Sequence, residues 1–227
     1  MSELQLIPLN GMSEQYSLLS SKLLNILRPE EGKPFIIGVT SCRPGEGVTT
    51  IAVRLASSMS ERTGGRVLVV DAKLDNIAKS KVLAHSEPAP PAAASPNPSQ
   101  EADPSRSLQR RTELIRTDNN VDVLMARSSA ERRRYQLDPE KFKFLIQNLR
   151  QQYGLVIVDC PALSENSFTM RVAGQMDGVV MVVEAGKVRG PALKRATEEM
   201  NQMGARILGV VLNKRRYPIP EFIYRML

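Results

Sequence analysis

Residues 41–50 read Ser41-Cys42-Arg43-Pro44-Gly45-Glu46-Gly47-Val48-Thr49-Thr50. A glycine-containing loop between an apolar strand and a helix turns several backbone N–H groups toward one point, and that point suits phosphate. Gly45 and Gly47 supply the backbone freedom such a cradle needs. Thr49 is placed to offer its hydroxyl to Mg²⁺, and Thr50 continues the helix that opens there. Strict spacing asks for glycine at 42 and lysine at 48, where the chain has Cys42 and Val48. A lysine there reaches the terminal phosphates and carries charge into the transition state of phosphoryl transfer. Valine cannot, and losing such a group costs on the order of 100-fold or more in rate. Backbone phosphate contacts survive the exchange, so nucleotide binding is separable from chemistry. The bland alternative is a Gly-rich turn that holds no ligand.

The loop needs elements to hold it. Phe35–Thr40 reads as a buried strand before it, and Thr49–Glu61 as the helix after it. Val67–Val70 is a second strand, ending at Asp71. Val121–Met125 is a third, and Leu155–Val158 a fourth that ends at Asp159. Val179–Val183 and Ile207–Leu212 are two more, with the helix Pro191–Met203 between them. Asp138–Tyr153 reads as an amphipathic helix, with Asp138 as N-cap and Pro139 in the first turn. Continuous rather than alternating apolar runs mean strands buried on both faces. Strands alternating with helices mean a mostly parallel central sheet with helices on both faces, an α/β fold of the P-loop NTPase kind. Ligands of such sheets bind beyond the carboxyl ends of the strands. Asp71, Asp159 and the loop after Thr40 all lie at such ends.

The domain expectation is an N-terminal helical segment, 1–34, followed by one P-loop domain, 35–227. A Pro/Ala/Ser-rich insertion at about 84–118 interrupts that domain. Its low-complexity part, near Ser86–Ser107, has too little apolar surface to offset the entropy of ordering, so disorder is expected there. The same sheet continues on both sides of it.

Composition narrows the function classes. The chain has 227 residues, 42% of them apolar, no Trp and a formal charge of +7. That balance favours anionic partners, with solubility alone as the plain alternative. The basic clusters are Arg110-Arg111, Arg132–Arg134 and Lys214–Arg216, and no aromatic set is interleaved with them. Nucleic acid is therefore not the expected partner. One histidine, His85, excludes a His-based metal site or triad. Cys42 and Cys160 make no disulfide framework. They follow two strands expected to be neighbours, which leaves a redox pair or two small core residues as readings, the second being the ordinary one in a reducing compartment. The N-terminus does not read as a signal peptide, and no apolar run is long enough to span a bilayer. The expected location is cytoplasmic, with attachment to the inner membrane through a partner. The apolar stretch Tyr217–Tyr224 is expected to dock on the core, or else to contact a partner.

The motifs together resemble the bacterial tyrosine kinases (BY-kinases) of capsule and exopolysaccharide synthesis, within the MinD/ParA-like P-loop group. Val39–Thr50 resembles their Walker A segment, Val67–Asp71 the A′ strand that normally ends Asp-x-Asp, and Tyr153–Pro161 the Walker B segment. Asp177–Val183 and Leu208–Asn213 match two later strands. The resemblance implies catalytic and Mg²⁺-holding roles for Asp71 and Asp159, with Thr49 as a further metal ligand. It implies nucleotide contacts from Arg43, Gly45, Glu46, Gly47, Val48, Thr49 and Thr50, and places Asn213 near the adenine base. Arg43 aligns with the signature lysine of the MinD/ParA-type loop. Lys73 takes the place of the second A′ acid, which weakens Mg²⁺ binding and makes Lys73 a candidate phosphate contact; solvent exposure is the plain reading of both Lys73 and Arg43. The implied cofactor is ATP or ADP.

Departures from the pattern point one way. Val48 replaces the Walker A lysine and Lys73 an acid. The ring-assembly pattern Glu-x-x-Arg-x-x-Arg reads Glu14, Ser17, Ser20, without either arginine, and the tyrosine cluster that these kinases autophosphorylate is missing. The expected function is a non-catalytic or weakly active regulator or scaffold of exopolysaccharide synthesis and export. The expected partner is a membrane-embedded polysaccharide chain-length regulator, a Wzc/CapA-like adaptor. Homo-oligomers stay open, though without the ring-assembly arginines. The alternatives are an active tyrosine autokinase or ATPase with a rearranged site, and a MinD/ParA-like positioning ATPase.

Overall fold

The computed structural model describes residues 6–9, 13–27, 34–72, 112–116, 120–126, 139–165 and 167–214. Their strands are β1 (Leu6–Leu9), β2 (Phe35–Ser41), β3 (Val67–Asp71), β4 (Thr112–Arg116), β5 (Val121–Ala126), β6 (Leu155–Asp159), β7 (Gly178–Glu184) and β8 (Ile207–Asn213). Their helices are α1 (Ser13–Leu27), α2 (Val48–Thr63), α3 (Pro139–Leu149), α4 (Phe168–Val172) and α5 (Gly190–Gln202). The strands form one sheet in the order β1-β8-β7-β2-β6-β3-β5-β4. Every pairing is parallel except β4 with β5 at one edge.

Alternation along each strand divides the core in two. Ile37, Val39, Val69 and Ile157 join Tyr16, Leu19 and Leu23 of α1 and Ile51, Leu55 and Met59 of α2. Ile36, Leu68, Val70 and Val158 join Phe142 and Ile146 of α3, Val172 of α4 and Met200 of α5 on the opposite face. Both faces are covered, so the central strands are apolar until their carboxyl ends, and β3 and β6 are buried throughout. The expected α/β fold with helices on both faces is the one observed.

Two strands escaped the sequence expectation. Leu6–Leu9, within the segment read as helical, pairs in parallel with β8. It is four residues long and contains Pro8, which weakens any strand signal, but an edge position tolerates the missing N–H. Thr112–Arg116 falls inside the stretch expected to be insertion, and it is the antiparallel edge strand β4. The sheet therefore resumes at Thr112, inside the 84–118 bounds expected of the insertion. Asp138, Lys73, His85, the rest of the insertion, the basic clusters at 110–111, 132–134 and 215–216, and the segment 217–227 lie outside the described residues.

The amino ends of the strands are pinned by charge. Arg66 donates to Asp122 Oδ1 at 2.7 Å, and the Tyr153 hydroxyl donates to Asp122 Oδ2 at 2.8 Å. Burial first, then the Asp122 carboxylate, pushes the Tyr153 phenol up, so it stays protonated and donating. Asp177 Oδ2 accepts the Ile36 N–H at 2.8 Å, and Arg150 lies 3.0 Å from the same oxygen.

Candidate functional site

At the opposite ends of the strands, β2 runs out at Ser41 and the chain turns through residues 42–47 into α2. Ser41 Oγ donates to the Arg43 carbonyl at 2.8 Å, starting the turn. Gly45 and Gly47 both have left-handed backbones, φ 83° and 98°. Gly47 is needed twice, because a Cβ there would also run into the Asn213 amide. Gly47 caps α2 with no side-chain hydrogen bond, and the first helical bond runs from the Ile51 N–H to the Gly47 carbonyl. The N–H groups of Val48, Thr49 and Thr50 thus precede the first intrahelical bond, as in a helix end open to an anion.

Glu46 is the surprise of the loop. It is 2% exposed. One carboxylate oxygen accepts the Arg43 N–H at 3.0 Å, closing the turn on itself, and the other accepts the Glu184 N–H at 3.1 Å, from the end of β7. Asn213 donates to the Glu46 carbonyl at 2.8 Å. The expected nucleotide-binding residues Glu46, Gly47 and Asn213 are therefore together, but Asn213 lies on the loop backbone. Arg43 is exposed, and only its backbone takes part.

Val48 occupies the lysine position and is 7% exposed. It belongs to the same apolar cluster as Ile51 and Ala52. The side chain is spent on packing, as valine's chemistry dictates.

Thr49 donates from Oγ1 to Asp159 Oδ2 at 2.6 Å. Asp159 ends β6, Asp71 ends β3, and the two are register partners on adjacent strands, both fully buried. This brings the three expected metal residues to one place. Their donors are all hard oxygens, which suits Mg²⁺. Among the described residues there is no cluster of three or more acidic, His or Cys side chains able to hold a metal alone. The set fits a Mg²⁺ that takes one or two protein oxygens and completes its shell with phosphate and water.

The β6 exit is fixed around the Pro161 carbonyl, which accepts Thr40 Oγ1 at 2.7 Å and Thr169 Oγ1 at 2.9 Å. Neither Cys42 nor Cys160 is in a disulfide, and both pack with the α3-side core. Burial, reinforced by the Glu46 carboxylate, pushes the Cys42 thiol up to about 11. A thiol that stays protonated is a poor nucleophile, so Cys42 is slow to react at neutral pH.

Two residues absent from the sequence expectation complete the site. Glu184 ends β7, and Lys214 follows β8. Lys214 donates to the Gly45 carbonyl and, at 3.1 Å, to Glu184 Oε2. Lys187, 2.9 Å from Glu184 Oε1, and then Lys214 hold the Glu184 carboxyl below its ordinary range. A signal was present: charged residues directly at strand carboxyl ends. Which ones meet the loop depended on the strand order.

Residues 35–203 match the family described as cellulose biosynthesis protein BcsQ. That stretch covers more than half of the chain and includes every site residue except Asn213 and Lys214. The chain belongs to the BcsQ family. Its relatives include the tyrosine-protein kinase CpsD of Streptococcus pneumoniae serotype 4, 27% identical over 182 residues, which are 79% of this chain and 75% of that protein. The succinoglycan biosynthesis transport protein ExoP of Rhizobium meliloti is 26% identical over 185 residues, 79% of this chain but 22% of that protein. Among solved structures, the chimerical protein CapA2B2 aligns with a TM-score of 0.68 at 21% identity, covering 94% of this chain and 96% of that one. The septum site-determining protein MinD from Pyrococcus horikoshii, solved with Mg-ADP, aligns with a TM-score of 0.58 at 22% identity over 85% of this chain and 78% of that one. The chain is thus similar to a tyrosine-protein kinase, as the motifs led one to expect, and it shares its fold with MinD. The cellulose family was the part the motifs had not named.

Proposed function

We propose that this chain is a nucleotide-binding regulator of exopolysaccharide synthesis that holds Mg²⁺-ADP or Mg²⁺-ATP with turnover at background. The observation that carries this reading is Val48, buried where phosphoryl transfer needs a cation. The loop around it keeps Gly45 and Gly47, and Thr49, Asp71 and Asp159 stand together, which supports binding of a metal–nucleotide complex. A role in polysaccharide synthesis is supported by the family and by the relative ExoP. In ExoP the matching stretch is a minor part of a longer transport protein. That supports a membrane-embedded chain-length regulator as partner, with this chain at the inner membrane face through it.

The preserved Thr49–Asp159 contact favours one second reading, an active autokinase or ATPase with a rearranged site. ATP turnover separates the two. The regulator reading expects turnover at background in the native protein and no further loss in Asp159→Asn. It expects Val48→Lys to raise turnover if the remaining machinery is sound. Native turnover that Asp159→Asn abolishes would establish the second reading instead.

A further inference from the structure

The phosphate loop has no lysine of its own at 48, yet a lysine touches it from outside. Lys214 has a left-handed backbone, φ 54°, uncommon for a residue with a side chain. Its ammonium joins the Gly45 carbonyl to the Glu184 carboxylate. Next to it, Asn213 holds the Glu46 carbonyl at 2.8 Å. Two successive peptide units of the loop are thus gripped by two successive residues of the β8 end.

This grip has a geometric consequence. In a trans peptide the C=O and N–H of one plane point in opposite directions, and no peptide here is cis. The Gly45 carbonyl shares its plane with the Glu46 N–H, and the Glu46 carbonyl shares its plane with the Gly47 N–H. Fixing both carbonyls toward β8 aims both N–H groups away from β8. Two successive N–H groups so aimed are the working part of an anion nest. There is an electrostatic consequence too. Glu46 and Glu184 are carboxylates beside a loop suited to an anion. Backbone N–H groups meet the first, and Lys187 and Lys214 meet the second.

We propose that Lys214 is the positioning residue of the phosphate loop, presetting its N–H groups for a nucleotide phosphate by holding the Gly45 carbonyl and neutralising Glu184. It stabilises the loop from behind, in place of a lysine that would reach the phosphate from within. The inference rests on the nucleotide-binding reading above, and the test separates the two.

The full-length protein is compared with Lys214→Met and Lys214→Arg by calorimetric titration with ADP and Mg²⁺, and by NMR amide exchange without ligand. The amides to follow are Arg43 and Glu184, each bonded to the Glu46 carboxylate. Loss of a charge-assisted contact predicts about 10-fold weaker ADP binding in Lys214→Met and faster exchange at both amides, with Lys214→Arg close to native. Unchanged exchange in Lys214→Met overturns the proposal, whether affinity is unchanged or falls; a fall would assign Lys214 to the ligand directly. If the native protein binds no ADP, the nucleotide reading fails and exchange alone decides: acceleration upholds the grip on the loop, and native rates refute it.

Discussion

The two ends of the sheet use acidic residues in opposite ways. At the amino ends, Asp122 and Asp177 are held by guanidinium groups, with a phenol and a backbone N–H completing the arrangement. These are pins: their carboxylates are taken up by residues in the segments leading into the strands and by the Ile36 N–H. At the carboxyl ends, Glu46 is held by backbone N–H groups and Asp159 accepts a threonine hydroxyl. A hydroxyl can be exchanged for a metal ion, and a main-chain nest can receive an anion. The difference lies in the partners offered to the acids, and it explains why one end is structural and the other suits a ligand.

Removing a pin should cost the most stability and touch the ligand least. Asp122→Ala strips two hydrogen bonds from a carboxylate that is 1% exposed. With Arg66 half exposed, and so partly compensated by water, the expected loss is about 2 kcal/mol in urea unfolding. Mg-ADP affinity should stay native; a large drop in affinity would break the division between the ends.

Gly47→Ala works at the other end. It forces a side chain into φ 98° and displaces Asn213 from the Glu46 carbonyl. A loss of about 1.5 kcal/mol in stability is expected. Nucleotide binding should drop out of the measurable range, the reverse of the pattern for Asp122→Ala. Thr49→Val removes the hydroxyl from Asp159 and should cost about 1 kcal/mol. Its sharper signature is a smaller gain in ADP affinity on adding Mg²⁺ than the native protein shows.

The smallest effect concerns Cys42. Its folded pKa of about 11 lies above the reference 9.0. The neutral thiol is the form favoured by folding, so the contribution to stability is complete below pH 9 and is lost as pH rises through about 11. Alkylation of the folded protein at pH 8 should be slower at Cys42 than in urea and should accelerate only toward pH 11. Equal rates folded and unfolded at pH 8 would show that the thiol is not shielded beside Glu46.

The central strands were legible because burial on both faces writes an unbroken apolar run, as in Val67–Val70 and Leu155–Val158. Leu6–Leu9 was not, since four residues with a proline carry little periodicity, and β8 supplies their order. Thr112–Arg116 was masked by the low-complexity stretch before it. In the site, Gly45, Gly47, Thr49, Asp71 and Asp159 were legible from local spacing and strand ends. Glu184 and Lys214 were not, because they reach the loop only once β7 and β8 lie side by side next to β2. The resemblance implies a place near the adenine base for Asn213, and the fold adds its contact with the Glu46 carbonyl, which no local pattern encodes.

Titration of the purified protein with ADP, with and without Mg²⁺, followed by ATP turnover on the same sample, is the sharpest check on a cradle kept without its lysine. Binding that depends on Mg²⁺, with turnover at background, is the predicted result. No binding at any Mg²⁺ concentration, or turnover that Asp159→Asn abolishes, would contradict it.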